Sequence, residues 1–254
     1  MSRRPSKQPP LNPNDPLDIA DQILYEDNHL IALNKLPGQI VQADKTGDAC
    51  LADMVKAFLK RRDSKPGNVF CGVIHRLDRP VSGVVIFAKT GKALSRMNEL
   101  VKSRDFHKSY LAIVKTPPPQ PQGHLEDYLL RNEKQNKSFV VSDSRKGEAK
   151  LAVLDYRLLS TSSGGWHLLE IDLHTGRHHQ IRCQLAHMGC PIKGDLKYGA
   201  PRSNPDGSIS LHSYCVSFTH PVRHELVRIV APSPWTIFGP IPSSDIPSIP
   251  ESVN

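Results

Sequence analysis

No run of apolar residues approaches the ~20 that a membrane-spanning helix needs. No long apolar stretch follows Arg3 and Arg4 either, so neither a span nor a secretory leader is expected. Cysteine is scarce and unpaired in pattern: Cys50, Cys71, Cys183, Cys190 and Cys215 include no CxxC spacing, and their number is odd. That argues against a disulfide framework or a cysteine zinc site and for buried thiols in a reducing compartment, with the cytoplasm as the expected location. A glycine-rich dinucleotide fingerprint is also missing. Acidic residues are the minority, 25 Asp and Glu against 33 Lys and Arg, which leaves a net charge of +8 over 254 residues. A surplus of that sign favours a polyanionic partner, because Lys and Arg displace counterions from phosphates.

Residues 1–16 are rich in Pro, Asn and basic residues and are expected to form a disordered basic tail; 239–254 read as a Pro/Ser-rich tail. The interval 17–238 between them is long enough for one substantial core. Its pattern is mixed. Ile23 to Asn34 reads as two short strands about the turn Glu26-Asp27-Asn28. Leu51, Met54, Val55, Phe58 and Leu59 mark one helix face. The β-branched run Gly83 to Ala88 predicts a buried strand. A helix follows it, capped by Thr90, with Ala93, Leu94, Met97, Leu100 and Val101 inward. Tyr110 to Val114 predicts a strand ended by Pro117-Pro118-Pro119, and Lys150 to Leu159 with Trp166 to Leu173 predict a strand pair. A third helix is expected from Thr175 to Gly189, then strands from Leu211 to Phe218 and Glu225 to Val230. With no regular βαβ repeat, the fold class is α+β: a mostly antiparallel mixed sheet flanked by about three helices.

Three polar clusters stand out. In His75-Arg76-Leu77-Asp78-Arg79-Pro80-Val81-Ser82-Gly83, a carboxylate between two arginines leads into a core strand. Neighbouring positive charge keeps an Asp ionised, and a partly desolvated carboxylate can act as a nucleophile; a salt-bridged turn fits the same residues. In Thr175-Gly176-Arg177-His178-His179-Gln180-Ile181-Arg182, Thr175 is placed to cap a helix, and Arg182 one turn in could pair with a carboxylate from another segment. His174 and His178 are four apart, but no acidic ligand completes a recognised metal set, so no metal is expected. Lys108-Ser109-Tyr110 enters a strand. Its Tyr suits either a core position or stacking on a nucleotide base.

In this order and at these distances the clusters resemble the RluA-type pseudouridine synthase family. His75 to Asp78 with Ser82-Gly83 is similar to its HRLD-x-x-x-SG signature, Lys108-x-Tyr110 to its second motif, and Thr175 to Arg182 to its TGR-x-HQ[IL]R motif. Asn34-Lys35 with Gly38, Gly194-Asp195, Tyr198-Gly199, Leu211-His212 and His220-Pro221 add to the likeness, which runs from about Ile23 to Val230. There are two departures. Val81 stands where the family commonly has Thr, and Lys35-Leu36-Pro37-Gly38 replaces Lys-Pro-x-Gly.

The resemblance implies the pseudouridine synthase catalytic fold; the family often adds an N-terminal S4-type domain, but the roughly 20 residues before the matched region are too few for one, so none is expected. It implies isomerisation of uridines in transfer or ribosomal RNA, with neither metal nor organic cofactor. Asp78 would be the catalytic carboxylate, through attack on C1′ or through a glycal. Tyr110 would pack on the uracil and could assist proton removal at C5, and Arg182 would pair with Asp78, orienting it and keeping it ionised. Arg76, or Arg79, would fill the space left by a flipped nucleotide. His75, Lys108, Arg177, Gln180 and Ile181 complete the expected substrate-binding set. Lys56, Lys60, Arg61, Arg62, Lys65, Lys102, Arg104, Lys146 and Lys150 are candidate phosphate contacts. A monomer bound to an RNA stem-loop is expected. A silent RNA-binding protein on the same fold, and a hydrolase with a second acidic group near Asp78, are the competing classes.

Overall fold

Strand β1 (Ile23–Glu26) turns back into β2 (Leu30–Lys35) through Asp27, whose carboxylate accepts from the amides of His29 and Leu30, both at 2.7 Å. The computed structural model describes residues 19–44, 47–142 and 147–239; both expected tails, apart from Gly239, and Lys146 lie outside them. The apolar stripe from Leu51 to Leu59 forms α1 (Leu51–Arg62), with Asp53 in its first turn and Lys60, Arg61 and Arg62 in its last, each placed to suit the helix dipole. After β3 (Gly72–Val73) and β4 (Ser82–Ala88), the Thr90 hydroxyl accepts from the Ala93 amide and starts α2 (Gly91–Ser103). Then come β5 (Phe106–Val114), β6 (Gln122–Asn132), β7 (Lys137–Val141), β8 (Lys150–Thr161) and β9 (His167–Leu173). Helix α3 (Gln180–His187), β10 (Leu211–Thr219) and β11 (Leu226–Val230) complete the chain.

All eleven strands join one sheet in the order β1-β2-β4-β10-β5-β9-β8-β6-β7, with β11 also on β10 and β3 also on β4. The β4–β10 pair is parallel and the other named pairs are antiparallel. The α+β class therefore holds. The parallel pair is short, His212 to Ser82 and Ser213 to Gly83, and very close. Gly83 has φ +110°, and a Cβ on it would lie 2.2 Å from the Ser213 carbonyl oxygen, so only glycine fits. The Ser82 hydroxyl and His212 Nδ1, 2.8 Å apart, close the same junction. The loop before β4 is thereby held at the middle of the sheet. The largest buried cluster packs α1 and α3, through Val55, Leu59, Ile181 and Leu185, against Phe87 and Ile171 of the sheet. A second cluster seats Ala93 and Met97 of α2 on Val84, Ile86 and Phe218.

Two expectations need correction. Helix α3 begins at Gln180, five residues after Thr175, because the segment between them is used otherwise. The Thr175 hydroxyl accepts from the Val153 amide and donates to Gln180 Oε1, which ties the segment to β8 instead of capping a helix. The long hairpin of β6 and β7 was not expected at all. Its residues are mostly polar and half exposed, and its order comes from pairing with β8, a contact that no local pattern signals.

Candidate active site

Leu77 and Val81 are buried in the main core and pin the loop on either side of Asp78, whose side chain is 30% exposed. The loop's backbone is gripped from below. Lys35, at the end of β2 and wholly buried, donates from Nζ to the carbonyls of Leu36 (3.1 Å), Arg79 (3.0 Å) and Val81 (2.5 Å). Burial pulls the Lys35 ammonium down to a pKa of about 7, against the upward pull of Asp78. The Gly38 amide donates to Arg79 O at 2.8 Å, the Ile209 amide to Pro80 O at 3.2 Å, and the Val81 amide closes a turn on Asp78 O at 3.0 Å. Val81 fills the core with its methyl groups, so the hydroxyl usual at that position has no part in holding this loop.

Arg182 reaches this loop from the first turn of α3. Its Nη1 donates to Asp78 Oδ2 at 2.9 Å, while Nε and Nη2 fork onto Asp195 Oδ2 and Oδ1 at 2.7 and 2.8 Å. The Arg182 and Asp195 side chains are 6% and 1% exposed. Burial works against the guanidinium's charge, but the hydrogen bonds and charges of Asp195 and then Asp78 outweigh it and raise its pKa. The guanidinium also lies 5.1 Å from the Tyr198 ring centroid, within cation–π range. His179 brings Nε2 to 3.4 Å from the same Asp78 oxygen, and burial holds its ring neutral, with a pKa of about 3. Tyr110 on β5 is buried; that burial pushes its phenol pKa up, and the charge of Asp78 adds to the push. Of the three expected catalytic residues, Asp78 thus acts electrostatically on both Tyr110 and Arg182.

The expected substrate-binding set divides. Arg76 is exposed and makes no ion pair among the described residues. Arg79 instead pairs with Asp48 and donates to Gly38 O at 3.1 Å. His75 turns inward: its Nε2 accepts from the Ile86 amide at 3.2 Å, its ring sits 5.2 Å from that of Phe106, and burial lowers its pKa to about 3. Lys108 places Nζ 3.5 Å from where a Cβ on Gly176 would be, so β5 meets the 174–179 segment there. Its pKa is lowered by burial, against the charge of Asp172. Arg177 donates from Nε to Leu151 O at 2.8 Å. Gln180 is fully engaged: Oε1 accepts from Thr175 and Arg177, and Nε2 donates to Val153 O. Ile181 is buried in the core. Gln180 and Ile181 are buried and build the site from within, whereas Arg177 is half-buried with its Nε anchored. Among the candidate phosphate contacts, Lys56, Arg62 and Lys65 are drawn into ion pairs with Asp53, Glu26 and Asp63.

Four residues of the site escaped assignment from the sequence: Lys35, His179, Asp195 and Tyr198. Each lies inside a stretch already matched to the family pattern, yet no spacing shows that they converge on Asp78. His174 pairs with Asp155 at 2.6 Å, and among the described residues no group of three His, Cys, Asp or Glu is placed to hold a metal ion.

The family model described as RNA pseudouridylate synthase matches residues 29–187. The chain is 35% identical over 232 residues to the ribosomal large subunit pseudouridine synthase D of Xylella fastidiosa, an alignment covering 86% of this chain and 68% of that one. It is 32% identical over 228 residues to the ribosomal large subunit pseudouridine synthase C of Escherichia coli, covering 84% and 67%. Among solved structures, human RNA pseudouridylate synthase domain containing 4 superposes with a TM-score of 0.70 at 25% identity, over 85% of this chain and 90% of that one.

Proposed function

The chain belongs to the RNA pseudouridylate synthase family of isomerases that act on RNA, and from that premise we propose that Asp78 is its catalytic carboxylate. The isomerisation breaks the N1–C1′ bond of a uridine, turns the base and joins C5 to C1′. The proton on C5 is exchanged for one on N1, so composition and redox state are unchanged. The observation that carries the assignment is the Asp78–Arg182–Asp195 array. Asp195 occupies two arms of the guanidinium, and the third holds a carboxylate that is still partly exposed. A fixed cation beside it favours the ionised form needed either to attack C1′ or to take a proton from the sugar.

Tyr110, like any phenol, is protonated in the neutral range, and burial raises its pKa further. Its part is to offer a flat apolar face to the uracil. A stacked uridine must be turned out of its helix to reach Asp78, at a cost of a few kcal/mol in a paired context. Arg76, exposed two residues before Asp78, would occupy the gap. We propose large-subunit ribosomal RNA as the first substrate to test, since the Xylella fastidiosa and Escherichia coli relatives carry that name.

The test is tritium release from RNA labelled at uridine C5, with wild type and Asp78→Ala each given transcripts of large-subunit ribosomal RNA and of transfer RNA. Release by wild type alone supports the assignment, and the responding pool gives the substrate class. Equal release by both proteins removes Asp78 from the mechanism. No release despite tight RNA binding favours a silent RNA-binding protein on this fold.

A further inference from the structure

Asp78 faces a second donor besides Arg182, and that donor has a chain of support behind it. The Ser138 amide on β7 donates to the Tyr198 hydroxyl oxygen at 2.8 Å. That oxygen lies 3.1 Å from His179 Nδ1. His179 Nε2 in turn lies 3.4 Å from Asp78 Oδ2. A backbone amide can only donate, so the Tyr198 oxygen accepts from Ser138 and its own proton is free to go to Nδ1. A neutral imidazole carries one N–H. If Nδ1 accepts, the proton sits on Nε2, the ring nitrogen nearest the carboxylate; the other tautomer would leave a lone pair there. Burial keeps the ring neutral, and Arg182, His178 and Lys197 act in the same direction.

His179 is also an odd residue for its place. It has φ +53°, in the left-handed region that suits Gly or Asn, and it precedes the first residue of α3. It is held there by stacking on His178, with ring centroids 3.8 Å apart, and by an edge contact with Tyr198. Ser138 secures this pair as well, donating from Oγ to His178 O at 2.7 Å. A strained backbone under a polar ring whose Nε2 lies 3.4 Å from a carboxylate oxygen is economically explained by what the ring does.

We propose that His179 is a positioning residue for Asp78, donating from Nε2 to its carboxylate, with Tyr198 fixing the tautomer and Ser138 of β7 fixing Tyr198. The inference rests on Asp78 being the catalytic carboxylate. At 3.4 Å the contact is long in the free protein; such contacts close when substrate excludes water. The Arg182 bond sets where Asp78 sits, and the His179 bond sets how its carboxylate plane is turned.

The experiment measures kcat, KM and RNA affinity for wild type, Asp78→Ala, His179→Phe, His179→Gln, Tyr198→Phe and the double variant His179→Phe/Tyr198→Phe, with a melting curve for each. Phe keeps the ring packing and removes the N–H. Gln carries an amide N–H to about the same place. The expected result for His179→Phe is a kcat loss of about 10- to 100-fold, the range of a lost charge-assisted hydrogen bond. KM and RNA affinity should stay within about threefold, and Gln should recover most of the loss. Tyr198→Phe should lower kcat less, and adding it to His179→Phe should cost no more than about twofold, since both act through one contact. A His179→Phe kcat within twofold of wild type overturns the proposal, as does a rise in KM with kcat unchanged. Additive losses in the double variant also overturn it. If His179→Phe fails to fold, the tautomer role rests on Tyr198→Phe, and an unchanged kcat there rejects it. An inactive wild type would reject the Asp78 reading itself and take this inference with it.

Discussion

One arginine holds two carboxylates of very different exposure, and this separates stability from turnover. Asp195 is 1% exposed and satisfies two nitrogens of Arg182, itself 6% exposed. Asp195→Ala strands a buried guanidinium, which costs about 3–5 kcal/mol. At ~2–4 °C per kcal/mol for a chain of this size, the melting temperature should fall by about 6–20 °C. Asp78 is 30% exposed and takes one bond. Its loss leaves the Asp195 fork intact, so Asp78→Ala should cost about 1 kcal/mol or less and move the melting temperature by no more than about 4 °C. Turnover should vanish in Asp78→Ala. In Asp195→Ala it should fall sharply even well below the new melting point, because Arg182 is free to swing. Thermal unfolding followed by circular dichroism and tritium release at 20 °C below each midpoint read the two effects. The reasoning fails if the two variants melt alike, or if Asp195→Ala turns over like wild type.

The buried histidines should make the protein acid-sensitive. His75, His179 and His212 titrate in the fold at about 3, 3 and 4, chiefly through burial, against 6.5 when free. The unfolded chain therefore binds their protons first as pH falls, and stability drops from pH 6.5 downward, by about 2 kcal/mol per group at pH 5; equal urea midpoints at pH 7 and pH 5 would contradict this. Lys35 has the same sign in another window. It is depressed from 10.5 to about 7, so its contribution to stability rises with pH between those values, and Lys35→Met should abolish that part of the slope while loosening the Asp78 loop and lowering kcat about tenfold or more. Gly83→Ala should yield no soluble folded protein, because its Cβ would collide with the Ser213 backbone; a variant with a wild-type melting curve would show that the strands can part. Arg76→Ala should leave the melting temperature unchanged and weaken RNA binding about tenfold, with a log–log salt slope reduced by about one if the contact is to phosphate. Unchanged affinity would place the RNA elsewhere.

What the sequence disclosed was what is local. The stripe Leu51 to Leu59, the Thr90 cap and the apolar run into Ala88 each lie within a dozen residues, and each formed as expected. The β6–β7 hairpin was hidden because its apolar residues do not alternate regularly and its partner β8 begins 28 residues after β6 does. The start of α3 was misplaced because Thr175 has two acceptable uses, and the competing bonds to Val153 and Gln180 depend on tertiary contact. The site was legible only as motifs. Likeness to a family brought Asp78, Tyr110 and Arg182 together. It could not show that Gln180 and Ile181 support the site from within, that Arg177 is anchored by its Nε to Leu151, or that His75 accepts a backbone amide. Those distinctions depend on where side chains point.

The charges around Asp78 explain why a simple ion pair would not do. A guanidinium alone beside a carboxylate settles into a two-bond fork and covers both oxygens. Here the fork is given to Asp195, which has no exposure through which to meet a substrate. Only Nη1 remains, and it takes Asp78 Oδ2, the same oxygen that His179 faces. Oδ1 accepts no hydrogen bond from any described residue. Lys35 neutralises from beneath, through the loop's carbonyls and without touching the carboxylate. Of the four groups, Asp78 alone has substantial exposure, and on the proposed assignment its uncovered oxygen is the one left to react with a sugar. Asp195 and Lys35, though buried, are therefore as necessary to that arrangement as Arg182.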